Sequence, residues 1–277
     1  MALGTGLVNY YKFDGSLQDD FDAYHGVNNG TYDTTGLIRN ARGFNGSDQN
    51  IGFSSFVFPL GAKTISFWFQ TDLAGTSQFV FDNGGSDSTK HGWALDLTTG
   101  PVVRWFSSKG TGGENRFAIS ATTSIVNATW YFVTATWDGT TDADKVILYV
   151  NAVAEVTGQA LLAETADPTN DLKIGSTSGG ITFLGGIIDE FGVWDTVKTP
   201  AEITTLYNGG AGLPRYLWNH SGTIPVGDVA GKGQAEIMTR YPVTSGLTAG
   251  TQKQEGRQSN LVAERGSVVP DRFKRGL

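Results

Sequence analysis

Apolar and polar residues alternate with a period of two through much of the first 213 residues. In KTISFWFQT, Ile65, Phe67 and Phe69 fall on one side, and Ser66, Trp68 and Gln70 on the other. In TWYFVTATWDG, Tyr131, Val133, Ala135 and Trp137 alternate with Trp130, Phe132, Thr134 and Thr136, and in KVILYVNAV, Val146, Leu148 and Val150 share a side. Successive side chains of a strand point to opposite faces, so this period predicts half-buried strands. LVNYYKF, SQFVFD, GWALDL, VVRWFS, NRFAIS, DLKIGS and IIDEFGVWD read the same way. Links such as DNGGSDSTKHG, SKGTGGEN and WDGTTDADK carry the residues of turns. About a dozen strands without intervening helices predict an all-β, two-sheet antiparallel jelly-roll sandwich.

One segment breaks the period. In KTPAEITTLYNGG, Thr199 is placed as an N-cap, Pro200 suits the first helical position and Glu202 completes a capping box. Ile203, Leu206 and Tyr207 form one apolar stripe, and Gly209 suits a left-handed C-cap. The expectation is a short helix near residues 200–208, packed as a lid on the sandwich edge. Beyond Gly212 no period is sustained. The reading is a jelly-roll domain over residues 1–212 and an extended C-terminal arm over 213–277, with Tyr216, Trp218, Ile237, Met238, Tyr241 and Phe273 as isolated anchors. Of these, Tyr216, Trp218, Tyr241 and Phe273 are the expected assembly contacts; a disordered tail is the alternative.

Composition narrows the picture. Hydrophobic residues make up 39% and charged residues 17%, which fits a folded chain. The absence of Cys excludes disulfides, thiolate metal sites and cysteine nucleophiles. No basic-then-apolar leader is visible at the start, and no apolar run is long enough to span a membrane. The net charge of −7 is unevenly spread: residues 1–213 carry 11 Lys/Arg against 22 Asp/Glu, and residues 214–277 carry 9 against 5. An acidic body argues against nucleic-acid binding there, and a basic tail suggests a second task.

Four stretches, in order, resemble the laminin-G-like, concanavalin A-like lectin/glucanase domain. They are LVNYYKFDGSLQDDFDAYHGVNNGTY, TWYFVTATWDG, ILYVNAVAEVTG and LKIGSTSGGITFLGGIIDEFGVWDTVKTPAEITTLYNGG, and together they cover about residues 5–212. The resemblance implies the jelly-roll fold. It also implies a structural Ca²⁺, which many relatives hold between an acid of the opening strand and one of the closing strand. Asp14 of FDG and Asp189 of IDE match those positions, with Asp19 and carbonyls of its loop as further ligands. The alternative is that these acids cap turns and accept backbone N–H groups. By parity, Asp189 shares a face with Phe191 and Val193 and points inward, while Glu190 shares one with Gly192 and Trp194. An inward carboxylate needs hydrogen bonds or a cation.

Glucanases of this fold carry an E-x-D-x-E-like run on one strand, which sets paired carboxylates on one face. No such run occurs, and Asp189 and Glu190 are expected to oppose each other across their strand. No G-x-S-x-G, H-E-x-x-H or P-loop is present. The expectation is a protein that is not an enzyme. For binding, Trp93, Trp105 and His91 lie beside Gly-rich loops, where aromatic rings could stack on a sugar, although Trp residues more commonly fill the core. The organisation as a whole suggests a virion structural protein of a bacteriophage, a capsid decoration or fibre-like subunit. It would display a lectin-like domain and dock by its arm on a capsid protein or on other copies of itself. The alternative is a secreted or cell-surface bacterial module that binds glycan. A divergent glycan hydrolase is disfavoured by the missing carboxylate pattern.

Overall fold

The structure is a computed structural model, and it describes residues 3–86, 91–109, 116–140, 142, 144–158 and 171–218. The strands in chain order are β1 (Leu7–Tyr11), β2 (Val27–Asn29), β3 (Tyr32–Thr35), β4 (Asn40–Asn45), β5 (Asn50–Phe53), β6 (Lys63–Thr71), β7 (Gln78–Asp82) and β8 (His91–Leu97). They continue as β9 (Val103–Lys109), β10 (Arg116–Ser120), β11 (Tyr131–Trp137), β12 (Val146–Val150), β13 (Val153–Gly158), β14 (Leu172–Ile174) and β15 (Gly185–Trp194). One helix, α1 (Pro200–Tyr207), follows.

The strands form two antiparallel sheets. One is eight-stranded, in the order β13-β12-β11-β6-β15-β4-β3, with β1 also paired to β15. The other is seven-stranded, in the order β10-β9-β8-β7-β14-β5-β2. This is the expected jelly-roll sandwich. The inward residues of the alternating strands meet between the sheets: Ile65, Phe67 and Phe69 of β6, Tyr131, Val133, Ala135 and Trp137 of β11, and Val146, Leu148 and Val150 of β12. Facing them are Trp93, Leu95 and Leu97 of β8 and Val103 and Trp105 of β9.

The other face of the larger sheet is also covered. Trp68, Phe132, Tyr149 and Trp194 point away from the main core and form a second apolar cluster with Ile203, Leu206 and Trp218. Helix α1 therefore lies over the central strands β6, β11 and β15 and not on the sandwich edge as expected. Tyr207 stacks on Trp68 with ring centroids 5.7 Å apart. A sheet face with aromatics at its centre gains most from a cover placed there, because burial of apolar area drives the packing. The capping box is present: Glu202 N–H donates to the Thr199 hydroxyl, and Thr199 N–H to Glu202 Oε2 at 2.9 Å. The left-handed C-cap is Asn208, with φ 48°, one residue before the expected Gly209.

The chain beyond the helix stays on the body through its last described residue. Residues Arg215–Leu217 form a 3₁₀ turn. Trp218 is 7% exposed, stacks on Trp194 at 5.6 Å and meets Tyr10 edge-on at 4.9 Å. Its indole N–H donates to the Leu213 carbonyl at 2.8 Å.

Candidate functional site

The site grows from an irregularity in β15. Its first half, Gly185–Ile188, pairs with β4 on one side, and its second half, Phe191–Trp194, pairs with β1 on that same edge. Along the other edge it pairs with β6 throughout, but the register slips between Asp189 and Gly192. That slip is a β-bulge, and Glu190 within it has φ +54°, a left-handed conformation that is uncommon outside Gly. A bulge inserts one residue into the alternation. Ile188, Phe191 and Val193 all reach the main core, whereas Asp189 is paired with Trp68 on the second face. The parity expected from sequence was therefore wrong for Asp189, which does not share a face with Phe191. Glu190 meets Tyr10 of the second cluster, so the two acids lie on one side of the sheet and do not oppose each other across it.

Each acid is held by a different element. Asp189 is fully buried, and its Oδ2 accepts the Ile38 N–H at 2.9 Å from the β3–β4 turn. Its Oδ1 has no hydrogen-bond partner. A Cβ at Gly36 of that turn would sit 2.5 Å from Asp189 Oδ2, so the turn's close approach requires Gly. Glu190 is 6% exposed, and Tyr10 Oη donates to its Oε2. Burial drives both carboxyls well above the usual range. At Asp189 the Asp14 charge adds to this and the Ile38 N–H opposes it; at Glu190 the Asp189 and Asp14 charges add to it, and Tyr10 and Lys12 oppose it. Burial, then Glu190, likewise raises the Tyr10 phenol well above its ordinary value.

Above Glu190 opens a pocket of about 220 Å³, lined by Lys12, Asp14, Arg39, Glu190, Arg215 and Tyr216 among others. Its charges are paired. Lys12 Nζ lies 2.8 Å from Asp20 Oδ1, Arg215 Nε 3.4 Å from Asp20 Oδ2, and Arg39 Nη1 3.8 Å from Asp14 Oδ2. The Arg39 guanidinium lies over the Tyr216 ring at 5.4 Å, and that of Arg215 over Phe21 at 5.2 Å.

The sequence-selected residues separate into three groups. Asp14 borders the pocket, and its Oδ1 accepts the Asn40 N–H at 2.9 Å. Asp19 is 4% exposed and spends its oxygens on Asn9 Nδ2 at 2.7 Å, on the Tyr10 N–H at 2.9 Å and on the Phe21 and Ala23 N–H groups. Ca²⁺ takes six to eight oxygen ligands. Here Asp19 is occupied by N–H donors, Asp14 and Asp189 each give an oxygen to one, and three cationic side chains line the pocket. The orphaned Asp189 Oδ1 is one oxygen against that requirement. Among the described residues no group of three or more His, Cys, Asp and Glu could hold a metal ion. The described donors do not fit Ca²⁺.

The second group is aromatic. Trp93 and Trp105 are 3% and 2% exposed, with ring centroids 5.1 Å apart, and Trp137 packs on Trp93 at 5.2 Å. They fill the core and offer no face to a sugar, a correction to the sequence reading that set them beside loops. Both sit at inward positions of β8 and β9. His91 opens β8, but its side chain lies outside the described residues. The third group is the expected assembly set. Trp218 is packed on its own body, which corrects its reading as a free anchor, and Tyr216 borders the pocket. Tyr241 and Phe273 lie outside the described residues. Sequence reasoning missed Lys12, Arg39, Glu190 and Arg215 as site residues. Their one local signal was the pair of adjacent acids within an apolar strand.

Two antiparallel sheets, a helix over the outer face and a polar pocket beside the closing strand define a lectin-like sandwich. A family described as the concanavalin A-like lectin/glucanases superfamily matches residues 45–204, and the chain belongs to it. No match was found among curated proteins. Among solved structures, the chain is similar to domain 4 of a GH43 extracellular arabinanase from Geobacillus stearothermophilus, in complex with arabinotriose. The identity is 18%, the TM-score 0.57, and the coverage 72% of this chain and 97% of that one. It is also similar to the binding domain of Paraclostridial Mosquitocidal Protein 1, with 16% identity, TM-score 0.58 and coverage of 75% and 53%. A third is the ligand binding domain of botulinum neurotoxin serotype D in complex with N-acetylneuraminic acid, with 15% identity, TM-score 0.56 and coverage of 74% and 51%. The chain spans about half the length of these two toxin domains.

Proposed function

We propose that the protein is a non-catalytic carbohydrate-binding domain. The observation that carries this reading is the use made of the acids at the closing strand. Asp189 is sealed under the β3–β4 turn and Glu190 is held by Tyr10, so these two share no open cleft, and Asp14, which borders the pocket with Glu190, is engaged by the Asn40 N–H and faces Arg39. Hydrolysis by a retaining or inverting route needs two carboxyls flanking one glycosidic bond. Support comes from the sandwich family and from neighbours solved with arabinotriose and N-acetylneuraminic acid. Screening the full chain on an array of neutral and acidic oligosaccharides, alongside a reducing-sugar assay, tests it. Binding without release of reducing ends is the expected result. Turnover, or failure to bind any glycan, overturns it.

A second reading concerns the setting of that domain. The acidic body and basic C-terminal segment favour a virion structural protein that presents the domain and docks through residues beyond Trp218, which lie outside the described residues. Co-purification with phage particles would support it. Export to the cell surface without particles would favour the bacterial module.

A further inference from the structure

We infer that the pocket above Glu190 is the subsite for one neutral sugar residue, recognised without a metal ion. This rests on the carbohydrate-binding reading and adds to it a location and a substrate class. The pocket holds both kinds of hydrogen-bonding group that a ring of hydroxyls requires. Glu190 and Asp14 supply carboxylate oxygens, and Lys12, Arg39 and Arg215 supply N–H donors. Hydroxyls both donate and accept, so neighbouring hydroxyls can bridge an acid and a base. Glu190 is nine-tenths buried yet borders the pocket. Tyr10 takes its Oε2, and its Oε1 has no hydrogen-bond partner among the described residues. That leaves one carboxyl oxygen at the floor to hydrogen-bond a hydroxyl. Tyr216 and Pro214 give the wall an apolar portion against which the C–H side of a sugar could pack.

Charge selects among sugars. Lys12 and Arg215 share Asp20, and Arg39 faces Asp14. Each cation on this wall has a carboxylate partner, and Asp14 would repel an anion entering beside it. An acidic sugar would have to break an ion pair, whereas a neutral one inserts into the existing network. The volume, about 220 Å³, lies below the roughly 300–1,000 Å³ of sites for drug-sized ligands, so one ring enters while the rest of a glycan remains outside.

The test measures the full chain and three variants, Arg39→Ala, Tyr216→Ala and Glu190→Gln, on an array of neutral, sialylated and uronic oligosaccharides with EDTA present. The Arg39 side chain is 61% exposed, so its variant keeps the test open if Glu190→Gln fails to fold, as thermal melting would show. The expected result is binding to neutral glycans that survives EDTA and falls at least tenfold in Arg39→Ala and Tyr216→Ala. Undiminished binding by those variants overturns the pocket while leaving the glycan reading intact. Binding confined to acidic glycans overturns the neutral selectivity, and loss in EDTA overturns metal independence. A wild-type chain that binds no glycan removes both readings.

Discussion

The bulge at Asp189–Glu190 and the cap at Thr199–Glu202 stand close together in the chain, and both place acids against backbone N–H groups. They differ in where the partners come from. Glu202 finds its partners one helical turn away: burial opposes its ionisation, but the Thr199 N–H and hydroxyl outweigh this and hold its carboxyl below the usual range. Asp189 and Glu190 depend on Ile38 and Tyr10, brought in by strands from the far end of the chain, and burial holds both carboxyls high. A local motif satisfies its acid by design of the sequence. A motif at a junction of three strands inherits whatever the tertiary pairing supplies, and here that is an imperfectly satisfied pair beside an open pocket.

Deleting single residues of β15 separates the two regions most strongly. Removing Glu190 restores plain alternation, with Ile188, Phe191 and Val193 still inward, so cooperative melting should persist. Removing Gly192 instead turns Val193 outward and Trp194 inward, with a cost of several kcal/mol and loss of the folded state. Cooperative melting of the Gly192 deletion, or none in the Glu190 deletion, would refute the bulge. Next in size is Gly36→Val, whose Cβ would crowd Asp189 Oδ2 at 2.5 Å and the Asn40 carbonyl at 2.8 Å. A loss of about 1–3 kcal/mol by chemical denaturation is expected, as for other overpacked positions.

The two regions also separate by pH. Asp189 and Glu190 have raised carboxyls in the folded state, with Tyr10, Lys12, Asp14, Arg39 and Arg215 around them. The folded state therefore binds more protons than the unfolded state above the unfolded carboxyl value of about 4. Their contribution is fully present below that value and is lost as pH rises through their folded values. Glu202 behaves oppositely: its contribution is present above its unfolded value and is lost as pH falls through the lower folded one. Glu155 does the same, since the Thr122 and Thr123 donors outweigh its burial. Melting temperature should rise from pH 7.5 to 5, then fall below about pH 4. The double variant Asp189→Asn, Glu190→Gln should flatten the first change and leave the second. The smallest effect belongs to the cap: Thr199→Ala should cost about 1 kcal/mol in denaturant unfolding and leave glycan binding unchanged.

Much of this was legible in the sequence. Strands such as β6, β11 and β12 declared themselves because each packs one face on the main core, and the cap declared itself because its partners are local. The run from β2 to β5 did not, since VNN and YDTT are short and mostly exposed, and VNN pairs with β5, not with the strand next to it in the chain. The inward Trp93 and Trp105 were misjudged because nearby glycines suggested loops, whereas both sit within strand alternation. The pocket was illegible for the reason the bulge was: Lys12, Arg39, Glu190 and Arg215 meet only once β15 changes partners.

In the proposed reading, the bulge aims Glu190 into a sugar-binding pocket. Titrating the full chain with a neutral oligosaccharide drawn from the array, and following assigned NMR resonances, tests it most directly. Saturable shifts are expected at Glu190, Arg39 and Tyr216, with Trp93 and Trp105 unmoved. Saturable shifts elsewhere, with those three residues silent, would contradict it.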